Sequence, residues 1–257
     1  MPISEIEVPG SSLSLTCYKC QMNSAPKLVV RIAKEGEAFN LEEEIPGFHD
    51  LDHDDTTVRG FYSTVAAFEV DEVVEGIATR TLHKRIESCE FLLVDGFAFF
   101  MGKSSVQKPL ANALSTFTGY GVAPLELEFH QLSQFQDRLE KVKSVALTNP
   151  KDREIRKAKL TGEIEDYSDY NVVDPRNHGI DSVSGLVDSP LGPMTVTATR
   201  KGGLRLAVRK GFILTLDCLL WIMEMVTGEK SIDAATEEEE EDIFTGEDPE
   251  PKKGVLD

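Results

Sequence analysis

The chain has 257 residues, 40% of them hydrophobic and 28% charged, with a formal net charge of −18. That length and balance exclude a fibrous repeat and a wholly disordered chain. Four cysteines in so long a chain exclude a disulfide scaffold, because a body of this size buries a core without staples.

In chain order, Ser11–Tyr18 (SSLSLTCY) and Lys27–Ile32 (KLVVRI) are short, alternating or β-branched runs, and both predict strands. Glu35–Asp55 is acidic, contains Pro46-Gly47 and lacks periodicity, which predicts a loop or insertion. Phe61–Val70 alternates as a strand does, with a helix as the alternative, and Thr79–Cys89 predicts a polar strand. Glu90–Met101 places Asp95-Gly96 between two apolar runs, a hairpin signal in which a type I′ turn asks both central residues for positive φ. Ser104 or Ser105 is placed to cap a helix over 106–118 that ends at Gly119. Leu125–Phe129 (LELEF) predicts a strand, Ser133–Val142 a helix, and Ser144–Leu147 and Lys157–Ile164 strands. Glu165–Gly179 is polar and proline-containing, a long loop. Ile180–Val187, Met194–Arg200 and Leu204–Val208 predict antiparallel strands joined by SPLGP and KGG, and Leu216–Val226 a helix.

The expected class is α+β, a mostly antiparallel sheet with a few covering helices. Two stretches share a ββα layout: 90–94, Asp95-Gly96, 97–101 and a helix; then 204–208, Lys210-Gly211, 212–215 and a helix. They suggest two pseudo-repeats, with halves 1–122 and 123–230 inside one body of residues 1–230. Residues 231–257 read as a disordered acidic tail, too polar to bury a core.

Charge is unevenly placed. Glu35–Asp55 holds nine acids and no base, and Ser231–Asp257 eleven acids and two lysines. Each segment carries −9, so together they account for the whole −18 and leave 25 acids against 25 bases elsewhere. Within that neutral remainder the bases cluster at Lys141, Lys143, Lys151, Arg153, Arg156, Lys157 and Lys159, and again at Arg200, Lys201, Arg205, Arg209 and Lys210. Such runs read either as solvated strand ends or as a surface for phosphate or an acidic partner. The tail's Glu240, Glu241 and Asp242, followed by Ile243 and Phe244, read as a docking peptide for a basic partner or as a cover for the chain's own basic strip.

Other candidates are weaker. His49, Asp50, Asp52 and His53 offer imidazoles and carboxylates to a divalent metal, but without HExxH or EF-hand spacing, and the same acids continue the Glu35–Asp55 run. Cys17 and Cys20 form half of a zinc or redox pair with no second half nearby. MGKSS at 101–105 is too short for a phosphate loop, yet it sets Lys103 at a helix N-terminus. There is no GxSxG element.

The longest apolar stretch, Phe212–Val226, contains Asp217 and Glu224 and falls short of the ~20 residues of a bilayer span. No membrane association is expected. The start MPISEIEVPG has neither a basic n-region nor an apolar h-region, so a cytoplasmic, reducing setting is expected. The function that fits best is a non-catalytic binding or accessory protein with a protein partner, in a nucleic-acid-processing or host-defence complex, without a cofactor. The alternatives are a metal-dependent hydrolase or nuclease at His49–Asp55 and a structural oligomeric subunit.

Overall fold

The computed structural model describes residues 3–74, 77–149, 156–162, 164 and 179–229. Its elements run β1 (Glu5–Glu7), β2 (Ser12–Cys20), α1 (Ala25–Glu35), β3 (Gly47–His53), β4 (Val58–Val74), β5 (Ile77–Val94), β6 (Gly96–Gly102), α2 (Ser104–Thr118), β7 (Ala123–Pro124), α3 (Phe129–Asp137), β8 (Lys141–Thr148), β9 (Lys157–Thr161), β10 (Gly179–Ser189), β11 (Gly192–Thr199), β12 (Gly203–Ala207), β13 (Ile213–Thr215) and α4 (Leu216–Thr227). The expected α+β class is what forms. One antiparallel sheet has the order β3-β4-β5-β6-β2-β12-β11-β10-β8-β9, with β7 beside β2, and a small pair β1-β13 stands apart from it.

The order mirrors about β2: a meander β3–β6 on one side, a meander β12–β8 on the other. Strand alternation sends the two sides' apolar residues to opposite faces. On β2, Leu13, Leu15 and Cys17 join a core with α3 and α4, whereas Tyr18 and Cys20 join a core with α1 and α2. Adjacent residues of β6 divide the same way, Phe99 and Met101 into the first core and Ala98 and Phe100 into the second. The helices of the two halves therefore cover opposite faces, and among the described residues the second meander's face away from α3 and α4 carries no helix.

Several sequence expectations are corrected. Residues 27–32 are helical within α1, where Ala25, Leu28 and Ile32 recur on one buried face and Pro26 sits in the first turn, a position that tolerates it. The β-branched run Val29-Val30 and Ile32 misleads because burial on one stripe outweighs local propensity. Within Glu35–Asp55, residues 47–53 form β3. Leu125–Phe129 is not a strand: Leu125 and Leu127 donate their amides to Cys17 O and Arg200 O, and α3 starts at Phe129 through a capping box of Glu128 with Gln131, not at Ser133. At the β5–β6 turn only Gly96 has positive φ, at +90°, so the turn is not type I′. Asp95 instead accepts the Met22 amide. The expected β5–β6 hairpin does form, whereas the second ββα unit does not form one. β12 pairs with β11 and β2, while β13, beyond Lys210-Gly211, pairs with β1.

Neither Ser104 nor Ser105 caps α2; Lys103 holds that position without a side-chain cap. Ser105 turns its hydroxyl to Glu87 of β5, which also accepts from Lys103 Nζ at 3.0 Å and Arg85 Nε at 2.7 Å. The start of α2, which the sequence marks as friendly to an anion, thus faces the chain's own buried carboxylate. The Ser105 bond, then the Lys103 bond, hold the Glu87 pKa down from 4.5 to about 2. A depressed carboxylate stabilises the fold above its unfolded pKa, and that contribution fades as pH falls through the folded value. In chemical denaturation, the Glu87→Gln variant is expected to be less stable than the parent by a constant margin above pH ~5, a margin that closes towards pH 2. A margin independent of pH would remove the charge from this account.

Candidate functional site

The uncovered face of the second meander collects most of the useful polar groups. Ladder register places Ser12, Ser14 and Thr16 of β2 beside Ala207, Arg205 and Gly203 of β12. Arg205 lies opposite Thr197 of β11, which with Thr195 and Thr199 shares that face. Ser182 and Ser184 of β10 follow, opposite Thr199 and Thr197. They pair in turn with Ala146 and Ser144 of β8, and Ser144, Ala146 and Thr148 with Thr161, Lys159 and Lys157 of β9. A register shift on β8 between Val142 and Ser144 sets Lys141 opposite Leu186. Lys143, within that irregularity, reaches across β10 and donates from Nζ to Thr195 Oγ1 at 2.8 Å.

This face spans six strands, about 24 Å at ~4.8 Å per strand. Lys141, Lys143, Lys157, Lys159 and Arg205 are all exposed on it. Among the described residues the acid that register adds is Asp188, at the β10–β11 turn opposite Pro193. Hydroxyl and ammonium donors in this mixture suit phosphate or carboxylate oxygens. Among the described residues the exposed aromatic ring beside the face is Phe129, at the end of β10 against Gly179 and under the Arg200 guanidinium, so the face lacks a row of rings on which successive unpaired bases stack.

The other sequence candidates fall elsewhere. Arg200 and Lys201 sit at the β11–β12 turn, with the Arg200 guanidinium 5.1 Å from the Phe129 ring centroid. Arg209 and Lys210 lie beyond the opposite end of β12, and Arg156 is exposed just before β9. Lys151, Arg153 and the tail residues Glu240, Glu241, Asp242, Ile243 and Phe244 lie outside the described residues, as does most of the Glu165–Gly179 loop. The basic run at 141–159 is thus partly gathered, whereas the run at 200–210 contributes Arg205 alone to the face. The sequence reading missed the hydroxyl residues. Their signal is the period-2 pattern of Ser12-Leu13-Ser14-Leu15-Thr16 and of Thr195-Val196-Thr197-Ala198-Thr199, apolar in and hydroxyl out.

The metal candidates do not converge. His49 Nδ1 lies 2.9 Å from Asp50 Oδ2 and Nε2 lies 2.8 Å from Ser63 Oγ, so both ring nitrogens are engaged. His53 Nδ1 lies 3.2 Å from the Asp54 carbonyl, and Asp52 accepts the His53 amide. Among the described residues no three His, Cys, Asp or Glu side chains form a cluster fit for a metal ion. Cys17 and Cys20 point to opposite faces, as residues three apart on a strand must. Burial pushes the Cys20 thiol up to about 12 and the Cys17 thiol higher still, and Cys89 and Cys218 are raised by the same cause. Four buried, protonated thiols on separate parts of the sheet and α4 form neither a zinc site nor a redox pair. No described helix is long and apolar enough to cross a membrane. No protein-family model matches the chain, and neither does any curated protein.

Proposed function

We propose that the chain is a non-catalytic binding protein whose open Ser/Thr/Lys sheet face takes a polyanion, with the phosphate backbone of nucleic acid as the leading ligand class. The observation that carries this is the sharing of one helix-free face by Lys141, Lys143, Lys157, Lys159 and Arg205, with Asp188 the opposing acid there among the described residues. Within a chain of net charge −18, a positively charged face concentrates polyanions locally. It offers Coulombic and hydroxyl contacts but no row of exposed aromatic rings for stacking. The ligand expected to bind best is therefore a duplex or another regular polyanion, read by its backbone.

The acidic tail acts in this reading as a competitor for the same face, or as the segment that a basic protein partner captures. Its eleven acids against two lysines supply the complementary charge. In a salt-titrated binding assay with duplex and single-stranded DNA, a chain ending at Lys230 is expected to bind duplex more tightly than the full chain. The gap should narrow as salt screens both interactions. Failure of both chains to bind at low salt would remove nucleic acid as the ligand.

A further inference from the structure

The irregularity in β3 builds a separate polar arrangement on the other half of the sheet. Pairing of β3 with β4 shifts register between His49 and Asp52, and Asp50 takes a left-handed backbone with φ +49°. On a regular strand Asp50 would point away from its neighbour His49. Here the bulge turns the carboxylate back, so that Oδ2 lies 2.9 Å from His49 Nδ1. His49 Nε2 lies 2.8 Å from Ser63 Oγ on β4, and Ser63 Oγ lies 2.7 Å from Ser88 Oγ on β5. The imidazole stacks on Phe61, with centroids 5.4 Å apart, and has the Phe39 ring at 5.7 Å on the pair's margin.

One order of protons satisfies every link. His49 Nδ1–H donates to Asp50, Ser63 donates to Nε2, and Ser88 donates to Ser63, which leaves the lone pairs of Ser88 Oγ directed outward. Ser63 is only 1% exposed, whereas Ser88 is exposed. The chain therefore leads from a half-buried base through a buried hydroxyl to a surface one. Packing does not account for the left-handed aspartate, since its side chain is 78% exposed. A strained non-glycine residue inside a bulge that re-aims a side chain is a feature that clusters at reactive sites. Nucleophile, base and orienting carboxylate within hydrogen-bond reach are the parts that activate a serine, here with Ser63 inserted as a relay.

We propose that Ser88 is an activated hydroxyl that accepts acyl groups from activated esters or thioesters. Ser88 Oγ forms a bond to the acyl carbon, and the bond from that carbon to the leaving oxygen or sulfur breaks. The Ser88 proton passes to Ser63 as the Ser63 proton passes to His49 Nε2, and Asp50 holds the resulting imidazolium. The leaving group departs as an alkoxide or thiolate and takes a proton from water or from His49. Ser88 is the reacting residue; Ser63, His49 and Asp50 are positioning and relay residues. This site shares no residue with the basic face and stands independently of the ligand assigned there.

The test uses the full chain and p-nitrophenyl acetate, following nitrophenolate release and locating the acetyl group by peptide mass spectrometry. Ser88 is expected to acetylate at least tenfold faster than exposed Ser14 of the same chain. His49→Gln and Ser63→Ala are expected to erase that excess, with the circular dichroism spectrum and Tm retained. Ser63→Ala removes the Nε2 partner but keeps the imidazole and its packing on Phe61 and Phe39, so a loss in that folded variant reports the relay rather than the ring's packing. Equal acetylation of Ser88 and Ser14, or an undiminished Ser88 rate in folded Ser63→Ala and His49→Gln, would overturn the proposal.

Discussion

Replacing Lys143, Lys157 and Lys159 together by glutamine is expected to lower duplex affinity at every sequence tested and to flatten its salt dependence. Each lysine lost from a phosphate contact reduces the slope of log K against log salt by about 1, so the triple variant should lose about 3. The three side chains are exposed on adjoining strands of the open face, so their loss should change folding stability by no more than ~0.5 kcal/mol each. The control is the pair Arg209→Gln and Lys210→Gln, which lies beyond the end of β12 and off the face. A charge-only mechanism predicts equal effects per charge from both sets. A face-specific one predicts that the open-face triple dominates. Equal slopes per removed charge would sink the assignment of this face while leaving non-specific attraction intact.

The sequence made the second meander legible and most of its surroundings illegible, for physical reasons. Strands β10 to β12 alternate cleanly because one face is packed and the other wet, so Val183, Val187, Val196 and Leu206 declare the core side. That same alternation implied an exposed hydroxyl face, but only the sheet order brings β9 and β2 to its two sides and so joins Lys157 and Lys159 to Ser14. Pairing of β12 with β2 spans most of the chain, and no local pattern encodes it. Helix α1 was missed because its β-branched residues match a strand by composition, whereas its buried stripe is set by tertiary packing. The relay at His49 was hidden for another reason. It needs a bulge, a left-handed Asp50 and two serines from different strands, while the sequence displayed only a dense acidic cluster that resembled a metal site.

The largest stability effects are expected at Phe99 and Phe100, neighbours on β6 that face opposite cores. Both are fully buried, and Phe100 packs on Tyr18 with ring centroids 4.3 Å apart. Truncating either to alanine removes a large apolar side chain and leaves a cavity, at a cost of about 3–5 kcal/mol. At roughly 2–4 °C per kcal/mol for a body of this size, Tm should fall by about 6–20 °C. Phe68 on the β4–β5 ribbon, 39% exposed, is the contrast: Phe68→Ala should cost well under half as much. Because β2 and β6 wall both cores, damage on either side should weaken the whole sheet. Calorimetry is therefore expected to show one transition in the parent and one in each variant, shifted together. If Phe99→Ala lowered only one of two resolved transitions and Phe100→Ala only the other, the halves would be separate folding units and the shared-wall account would be wrong.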